Sequence, residues 1–287
     1  MPIDKLINIL IIITLFEMMV AIGLGVRLAE IKEVARNPGL VTRAALANYF
    51  LVPVFVLGLL FLFHPAPLVS AGFLIVAVCP GAPYGPPFTA IARKNVTAAT
   101  GLMVILAGSS AVAAPLLLYL LLPVMAGTER LNVDTSRILI TLLMTQLVPL
   151  CTGLLIRELR PALASKLQKP LNQLSKVLNI LVVAFILIAQ FHVLSAVRPV
   201  AYAGMTALLV LSLVSGWLLG ESGGANRKAM AFVTSVRNVS MSLVIATGSF
   251  PGSPAVMAVL VYGIFQTLAS AAIALGCGRL ARQPNPL

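Results

Sequence analysis

The sequence of 287 residues has very few charged side chains. Only 10% of its residues are Asp, Glu, Lys or Arg, whereas 60% are hydrophobic, and the mean hydropathy is +1.04. A soluble globular domain carries about 25% charged residues, so this composition excludes a soluble globule and indicates a membrane protein. Nine spans of roughly 20 residues would use about 180 positions, which leaves no room for a sizeable soluble domain.

The sequence also lacks the residue patterns of a metal site, a disulfide framework or a catalytic centre. Its three cysteines, Cys79, Cys151 and Cys277, lie inside apolar segments without metal-ligand spacing. We predict that they are small, buried packing residues. No Ser/His/Asp, Cys/His, paired-carboxylate or Gly-rich phosphate motif is assembled, which predicts a protein that is not an enzyme and has no metal site.

Acidic residues are scarce, with eight Asp and Glu against 20 Lys and Arg, and the formal net charge is +12. The basic residues lie in short loops between apolar runs rather than along one helical face, which excludes a nucleic-acid partner. Assigning the loops alternately to the two sides of the membrane places most basic residues on one side. The positive-inside rule then predicts an external N-terminus and a cytoplasmic C-terminus.

Long apolar runs are what the sequence has in abundance. We predict nine spans, at residues 6–26, 41–63, 68–92, 97–125, 138–156, 177–195, 200–220, 228–248 and 254–278. The first run has the length of a span, carries Glu17 and has no small-residue cleavage site, so we interpret it as a retained helix rather than a signal peptide.

The third span contains four prolines and two glycines between positions 80 and 87. Each proline inside a helix removes a hydrogen bond and clashes with the preceding turn, at a cost of about 3 kcal/mol. The helix is therefore predicted to break near the middle of the membrane. Unwound backbone at that depth is tolerated only where it faces protein or a water-filled cavity, so the break marks a candidate site.

The eighth span has a polar centre built around Arg237. An arginine within a span costs at least ~2.5–3.5 kcal/mol, so it indicates a functional site or a paired charge. One interpretation is a fixed positive charge that selects anions. The alternative is an ion pair with Glu17, the acidic residue that lies within a span; Glu17 is also a candidate proton carrier.

Two broken helices, third from the start and second from the end, are the pattern of an inverted repeat in a secondary transporter. We predict one membrane transporter domain over residues 1–287. Residues 1–126 would form a truncated, four-helix first repeat, and residues 127–287 a five-helix second repeat.

Several short motifs follow one another over nearly the whole chain. They are Gly23-Leu24-Gly25, Asn37-Pro38, Ala47-Asn48-Tyr49-Phe50-Leu51-Val52-Pro53, Cys79-Pro80-Gly81, Thr89-Ala90-Ile91-Ala92-Arg93-Lys94-Asn95-Val96, Gly216-Trp217-Leu218-Leu219-Gly220 and Arg237-Asn238. In this order they resemble the bile acid:sodium symporter family in its nine-helix, bacterial form. The resemblance implies an all-α polytopic membrane protein with two broken, crossing helices. Spans one, five and six would form a panel domain that moves against a core domain, in a bacterial inner (plasma) membrane.

The resemblance also places the family's sodium ligands, and most of them are missing. A Ser-Asn pair falls on Gly85 and Pro86, two hydroxyl ligands on Ala99 and Met103, and a Glu and a Gln on Val233 and Arg237. An amide is retained at Asn48 and at Asn238. The loss of a carboxylate and the gain of a guanidinium make the site more positive, which should repel sodium. We therefore expect no cofactor, a doubtful role for Na⁺, and Arg237 in the place of the bound cation.

The leading hypothesis is a secondary transporter that moves a small organic anion across the lipid bilayer by alternating access. The candidate substrate-binding residues are Arg237, Asn238, Asn48, Tyr84, Gly85, Thr89, Thr234 and Ser240, and Glu17 is the candidate proton or ion-pair site. The alternatives are a membrane sensor of the same fold that binds without transport, and a sodium-coupled symporter with a rebuilt cation site. An oxyanion efflux carrier of the same broad fold fits the motifs less well. The sequence does not indicate the substrate, the direction of transport or the oligomeric state.

Overall fold

The structure is a computed structural model that describes residues 3–92, 95–125, 133–189, 199–220 and 224–280. Within these ranges every regular element is a helix. The helices are α1 Ile3–Gly25, α2 Leu28–Ala35, α3 Pro38–Leu46, α4 Val52–Phe63, α5 Pro67–Ala77, α6 Gly85–Ile91, α7 Val96–Met125, α8 Thr135–Leu142, α9 Val148–Leu159, α10 Pro161–Ala189, α11 Pro199–Leu219, α12 Gly224–Ser235, α13 Val239–Ser249 and α14 Pro254–Leu280.

Eight helical stretches in the described ranges are long and apolar enough to cross a membrane. They are Lys5–Gly25, Pro38–Phe63, Val96–Met125, Thr135–Leu159, Pro161–Ile188, Val200–Leu219, Asn226–Ser249 and Pro254–Arg279. The predicted all-α polytopic membrane fold is confirmed. The predicted third span, 68–92, is two short helices, α5 and α6, with a non-helical stretch between them, so the count of nine spans stays a prediction.

Two of the spans widen locally into a π-helical stretch. Ala47–Leu51 joins α3 to α4, and Leu143–Leu147 joins α8 to α9. Each stretch is followed by a Val-Pro pair, with the prolines at Pro53 and Pro149. Because proline has no N–H to donate, the regular α-helical ladder is interrupted there and a wider turn forms instead.

The sixth span begins earlier than predicted. The sequence placed it at 177–195 after a basic loop, but α10 runs continuously from Pro161 to Ala189. Its first half is rich in Lys, Asn and Gln, which lowered the hydropathy and concealed the helix. Gln190 and His192, in the predicted second half of this span, lie outside the described residues.

α1 packs closely against α9 and α10. Gly23 of α1 and Gly153 of α9 face each other: a Cβ atom at Gly23 would clash with the Leu150 carbonyl, and one at Gly153 with the Val20 carbonyl. Small residues at a helix crossing allow the two backbones to approach. The close van der Waals packing that results is one of the forces that hold helices together in lipid.

The remaining helices pack around the two interrupted ones. α5 lies against α14, α12 lies against α11, and both α6 and α12 contact α7. Of the three cysteines, Cys79 is buried as predicted and Cys277 is half-buried. The prediction is wrong for Cys151, which is exposed, because its apolar surroundings in the sequence belong to the outer surface of the bundle rather than to its core.

Candidate functional site

The two helix interruptions meet. α5 ends at Ala77 and α6 begins at Gly85, while α12 ends at Ser235 and α13 begins at Val239. The backbone N–H of Asn238 donates to the Cys79 carbonyl oxygen at 2.8 Å, which joins the two interruptions directly. Both predicted breaks are confirmed, and we call the place where they touch the crossover.

Gly81 is required at the crossover for two reasons. Its φ is +79°, which L side chains rarely adopt, and a Cβ atom would clash with the backbone of Ala107 in α7. The glycine therefore lets the unwound stretch turn while it lies against a neighbouring helix.

Arg237 is fully enclosed at the crossover, with 1% of its surface exposed. Its Nη1 donates to the Ala77 carbonyl at 3.3 Å, and its Nη2 donates to the Thr234 carbonyl. These carbonyls belong to the C-terminal ends of α5 and α12. The last carbonyls of a helix lack partners within the helix and carry partial negative charge, so the guanidinium satisfies both ends with one positive charge.

Gln266 of α14 holds the backbone of Arg237 from both sides. The Arg237 N–H donates to Gln266 Oε1 at 2.9 Å, and Gln266 Nε2 donates to the Arg237 carbonyl at 2.8 Å. The sequence analysis missed Gln266. The signal in the sequence was an amide near the middle of an otherwise apolar span, but its burial is a property of the structure alone.

Asn48 and Asn238 lie beside Arg237. Asn48 Nδ2 donates to the Thr234 hydroxyl at 3.3 Å and to the Ala44 carbonyl at 2.9 Å. Asn238 Oδ1 accepts from the Met241 N–H at 3.1 Å and caps α13. Asn48 Oδ1 and Asn238 Nδ2 are buried without a partner among the described residues. The structure thus brings Asn48, Thr234, Arg237 and Asn238 into one cluster.

The other predicted site residues are more dispersed. The Thr89 hydroxyl donates to the Gly85 carbonyl at 2.9 Å, and the Gly85 N–H donates to the Ala82 carbonyl at 3.2 Å, so both serve the local backbone. Tyr84 precedes α6 with 42% of its surface exposed. Ser240 lies in the first turn of α13, where its hydroxyl donates to Asn179 Oδ1 of α10 at 3.4 Å.

Two of the positions at which the resemblance places sodium ligands, Ala99 and Val233, have apolar surroundings. Ala99 and Val233 belong to one hydrophobic cluster, together with Ala47 and Leu102. A Cβ atom at Gly85 would lie 3.5 Å from Val233, so the two positions are neighbours in space. At these two positions hydrocarbon stands where the resemblance expects oxygen ligands of a hard cation.

Glu17 has a partner other than Arg237. Its Oε2 accepts from the Ser175 hydroxyl of α10 at 2.6 Å, and its Oε1 is buried without a partner among the described residues. The Arg237 guanidinium is bonded to carbonyl oxygens instead. Glu17 and Arg237 therefore do not form an ion pair, and this alternative from the sequence is wrong.

Comparison with known proteins supplies the family. The profile of the sodium bile acid symporter family matches residues 12–197. A relative in Bacillus subtilis (strain 168), called an uncharacterized sodium-dependent transporter, YocS, is 26% identical over 273 residues, which cover 91% of this chain and 81% of the relative. With two interrupted helices meeting inside an all-helical membrane bundle, the chain belongs to the sodium bile acid symporter family and is a transporter of that type.

Proposed function

We propose that the protein is a secondary transporter that moves a small organic anion by alternating access, with Arg237 as a built-in cation in place of bound sodium. The observation that carries the proposal is the position of the Arg237 guanidinium between the Ala77 and Thr234 carbonyls at the crossover. A cation that binds there would meet the same two negative helix ends. A covalently attached cation cannot dissociate, so it stabilises the crossover without coupling transport to a sodium gradient.

The apolar replacements support the same proposal. Sodium needs several oxygen ligands, and the cluster around Ala99 and Val233 offers hydrocarbon instead. The positive charge of Arg237 would also repel a second cation at short range. A sodium-coupled symporter with a rebuilt site is the alternative, since the Bacillus relative is named a sodium-dependent transporter.

The packing supports a division into two moving parts. α1, α9 and α10 contact one another and would form the panel, whereas the helices around the crossover would form the core. Among the described residues three side-chain pairs form hydrogen bonds across this boundary: Gln146 with Ser110 at 3.0 Å, Asn179 with Ser240 at 3.4 Å, and Asn8 with Thr247 at 3.4 Å. Few hydrogen bonds must therefore exchange when one part moves against the other. In this proposal residues 1–126 and 127–287 are the two inverted repeats.

Glu17 is the candidate site for proton coupling. Its carboxyl group lies within a span, and one of its oxygens is buried without a partner among the described residues. Intramembrane carboxyl groups of this kind act as proton relays in transporters. In the proposed orientation, with the N-terminus outside a bacterial inner membrane, Glu17 lies in the cytoplasmic half of α1.

The test is uptake of radiolabelled small organic anions by the purified protein in vesicles. The set comprises a 2-oxo monocarboxylate, a dicarboxylate and pantothenate, each with sodium or choline outside. We expect saturable uptake or exchange of at least one anion that is equal in sodium and choline. Uptake that requires sodium would support the rebuilt cation site. Binding without flux would support the sensor alternative and overturn the transporter proposal.

A further inference from the structure

Gln146 is a fully buried amide in the π-helical stretch Leu143–Leu147, between α8 and α9. In the proposed division this stretch belongs to the panel. Its Nε2 donates to the Ala107 carbonyl and, at 3.0 Å, to the Ser110 hydroxyl oxygen, and both of these residues lie in α7 of the core. π-Helical turns within α-helices are frequent at functional sites. The widened turn thus carries a polar side chain of the panel onto a helix of the core.

The two α7 residues that this amide contacts also touch both halves of the crossover. Gly81, in the stretch between α5 and α6, lies so close to Ala107 that a Cβ atom would clash with the alanine backbone. Ser110 Oγ lies 3.5 Å from Met241 Sδ, and the Met241 N–H donates to Asn238 Oδ1 at 3.1 Å. A single residue of α7 therefore separates the panel amide from each of the two interrupted helices.

The contact between Gln146 and α7 can be broken at little cost. The Ser110 hydroxyl also donates to the Ala107 carbonyl, at 2.8 Å, so this carbonyl keeps a donor without the amide. Gln146 Oε1 is buried without a partner among the described residues, and such an oxygen costs about 1–3 kcal/mol. A side chain with an unsatisfied buried atom calls for an explanation other than stability. A contact that forms and breaks during transport supplies one.

From these contacts we propose that Gln146 is a positioning residue for transport. It binds α7, and through α7 it fixes the crossover against the panel in the state that the structure shows; it releases α7 when the core moves. The proposal deepens the proposed function and rests on it for the movement of core against panel. The two buried side chains then have different tasks: Arg237 joins the interrupted helices to each other, whereas Gln146 links them to the panel.

Labelling of a buried cysteine measures the released state without a transported anion. Leu142, in α8, is fully buried, and α8 packs against α7 and α13 of the core. In the full chain carrying Cys151→Ser and Cys277→Ser, a Leu142→Cys thiol should therefore react with N-ethylmaleimide only when α8 separates from the core. The same chain without Leu142→Cys gives the background from Cys79, which is fully buried.

Gln146→Leu should raise the labelling rate at position 142 about fivefold, because the loss of one net hydrogen bond shifts an equilibrium by roughly that factor. Gln146→Met, which also lacks N–H donors but keeps an unbranched chain, should do the same. Thr145→Val is the matched control: the Thr145 hydroxyl donates to the Thr141 carbonyl of its own span at 2.7 Å, so its loss should leave the rate unchanged.

Three outcomes would overturn the proposal. The first is an equal labelling rate for the wild type and both Gln146 variants. The second is an equal rise for Thr145→Val. The third is a lower apparent Tm with an unchanged labelling rate in the folded protein, which would mean that Gln146 serves stability alone.

A double-mutant cycle tests whether the effect passes through α7, since such a pathway needs evidence of coupling. Ser110→Ala removes one acceptor of the amide and the contact with Met241, so it should also raise the rate at position 142. Combined with Gln146→Leu, it should raise the rate no further than Gln146→Leu alone. Effects that multiply would overturn the role of α7. If the wild type transports no anion, the proposed function fails, and the labelling rates still decide whether Gln146 fixes the core against the panel.

Discussion

The backbone N–H of Asn238 and the carbonyl oxygen of Cys79 are 2.8 Å apart and join the two interrupted helices of the protein. This single bond brings the C-terminal ends of α5 and α12 together. Two partial negative charges then face each other in a region without bulk water. The Arg237 guanidinium lies between them and donates to both, and this is the contact on which the proposed role of Arg237 as a built-in cation rests.

Replacing Arg237 with methionine should destabilise the protein. The Ala77 and Thr234 carbonyls would lose their donor, and each unsatisfied buried group costs about 1–3 kcal/mol. Relief of the buried charge offsets part of this cost. We expect a lower apparent Tm in detergent and loss of transport. Arg43→Met, at an exposed arginine, is the control and should change neither; an unchanged Tm for Arg237→Met would contradict the proposed role.

Sodium should have no effect on the thermal stability of the wild-type protein when titrated against choline at constant ionic strength. A ligand that binds only the folded state raises the apparent Tm by mass action. The double variant Val233→Glu/Arg237→Gln returns a carboxylate and an amide to the crossover, and we expect it to gain a saturable increase in Tm with sodium. A sodium-dependent increase in the wild type would instead indicate a rebuilt cation site.

Glu17→Gln should abolish the response of transport to a proton gradient if Glu17 carries the coupled proton. The amide can still accept from Ser175, so the fold and substrate binding should persist, while no proton can be exchanged. The measurement is anion uptake with the outside made progressively more acidic. Glu33→Gln, at an exposed glutamate, is the control. Equal pH profiles for Glu17→Gln and the wild type would exclude Glu17 as the carrier.

Gly81→Ala tests the geometry of the crossover. The positive φ disfavours alanine by about 1–2 kcal/mol, and forcing a methyl group against Ala107 adds roughly 1–3 kcal/mol. We expect a marked fall in apparent Tm and in transport. Gly58→Ala is the matched control, because a Cβ atom there meets nothing within 4 Å, and alanine within a helix should be neutral or slightly stabilising. Similar Tm values for the two variants would show that Gly81 is not under this constraint.

Much of the fold follows from local sequence. The apolar runs predicted the spans, and the prolines between positions 80 and 87 predicted the break between α5 and α6. These features are readable because hydropathy and the missing proline N–H act within one helical segment. The start of α10 was missed because its polar first half has the composition of a loop, and its helical packing against α1 and α9 is visible only in the structure.

The candidate site was predicted in part. Four of the predicted residues come together: Arg237, Asn238, Thr234 and Asn48. They do so because the second interrupted helix packs against the π-helical stretch that follows α3 and against the end of α5 at the crossover. Tyr84, Thr89 and Ser240 lie apart from that cluster, at places where local backbone or another helix takes their hydrogen bonds. Gln266 was not singled out, since a lone polar residue in a sequence does not reveal which side of its helix faces the protein.

The sequence by itself determined that the chain spans a membrane, where two of its helices break, and that one arginine lies within a span, because each of these is a property of consecutive residues. Only the tertiary structure decided what the buried charges touch. The Ala77 carbonyl that accepts from Arg237 is 160 residues away in the chain, and Ser175 is 158 residues from Glu17. Such partners are set by helix packing, which brings distant segments within hydrogen-bond distance and thereby decides which groups surround each buried charge.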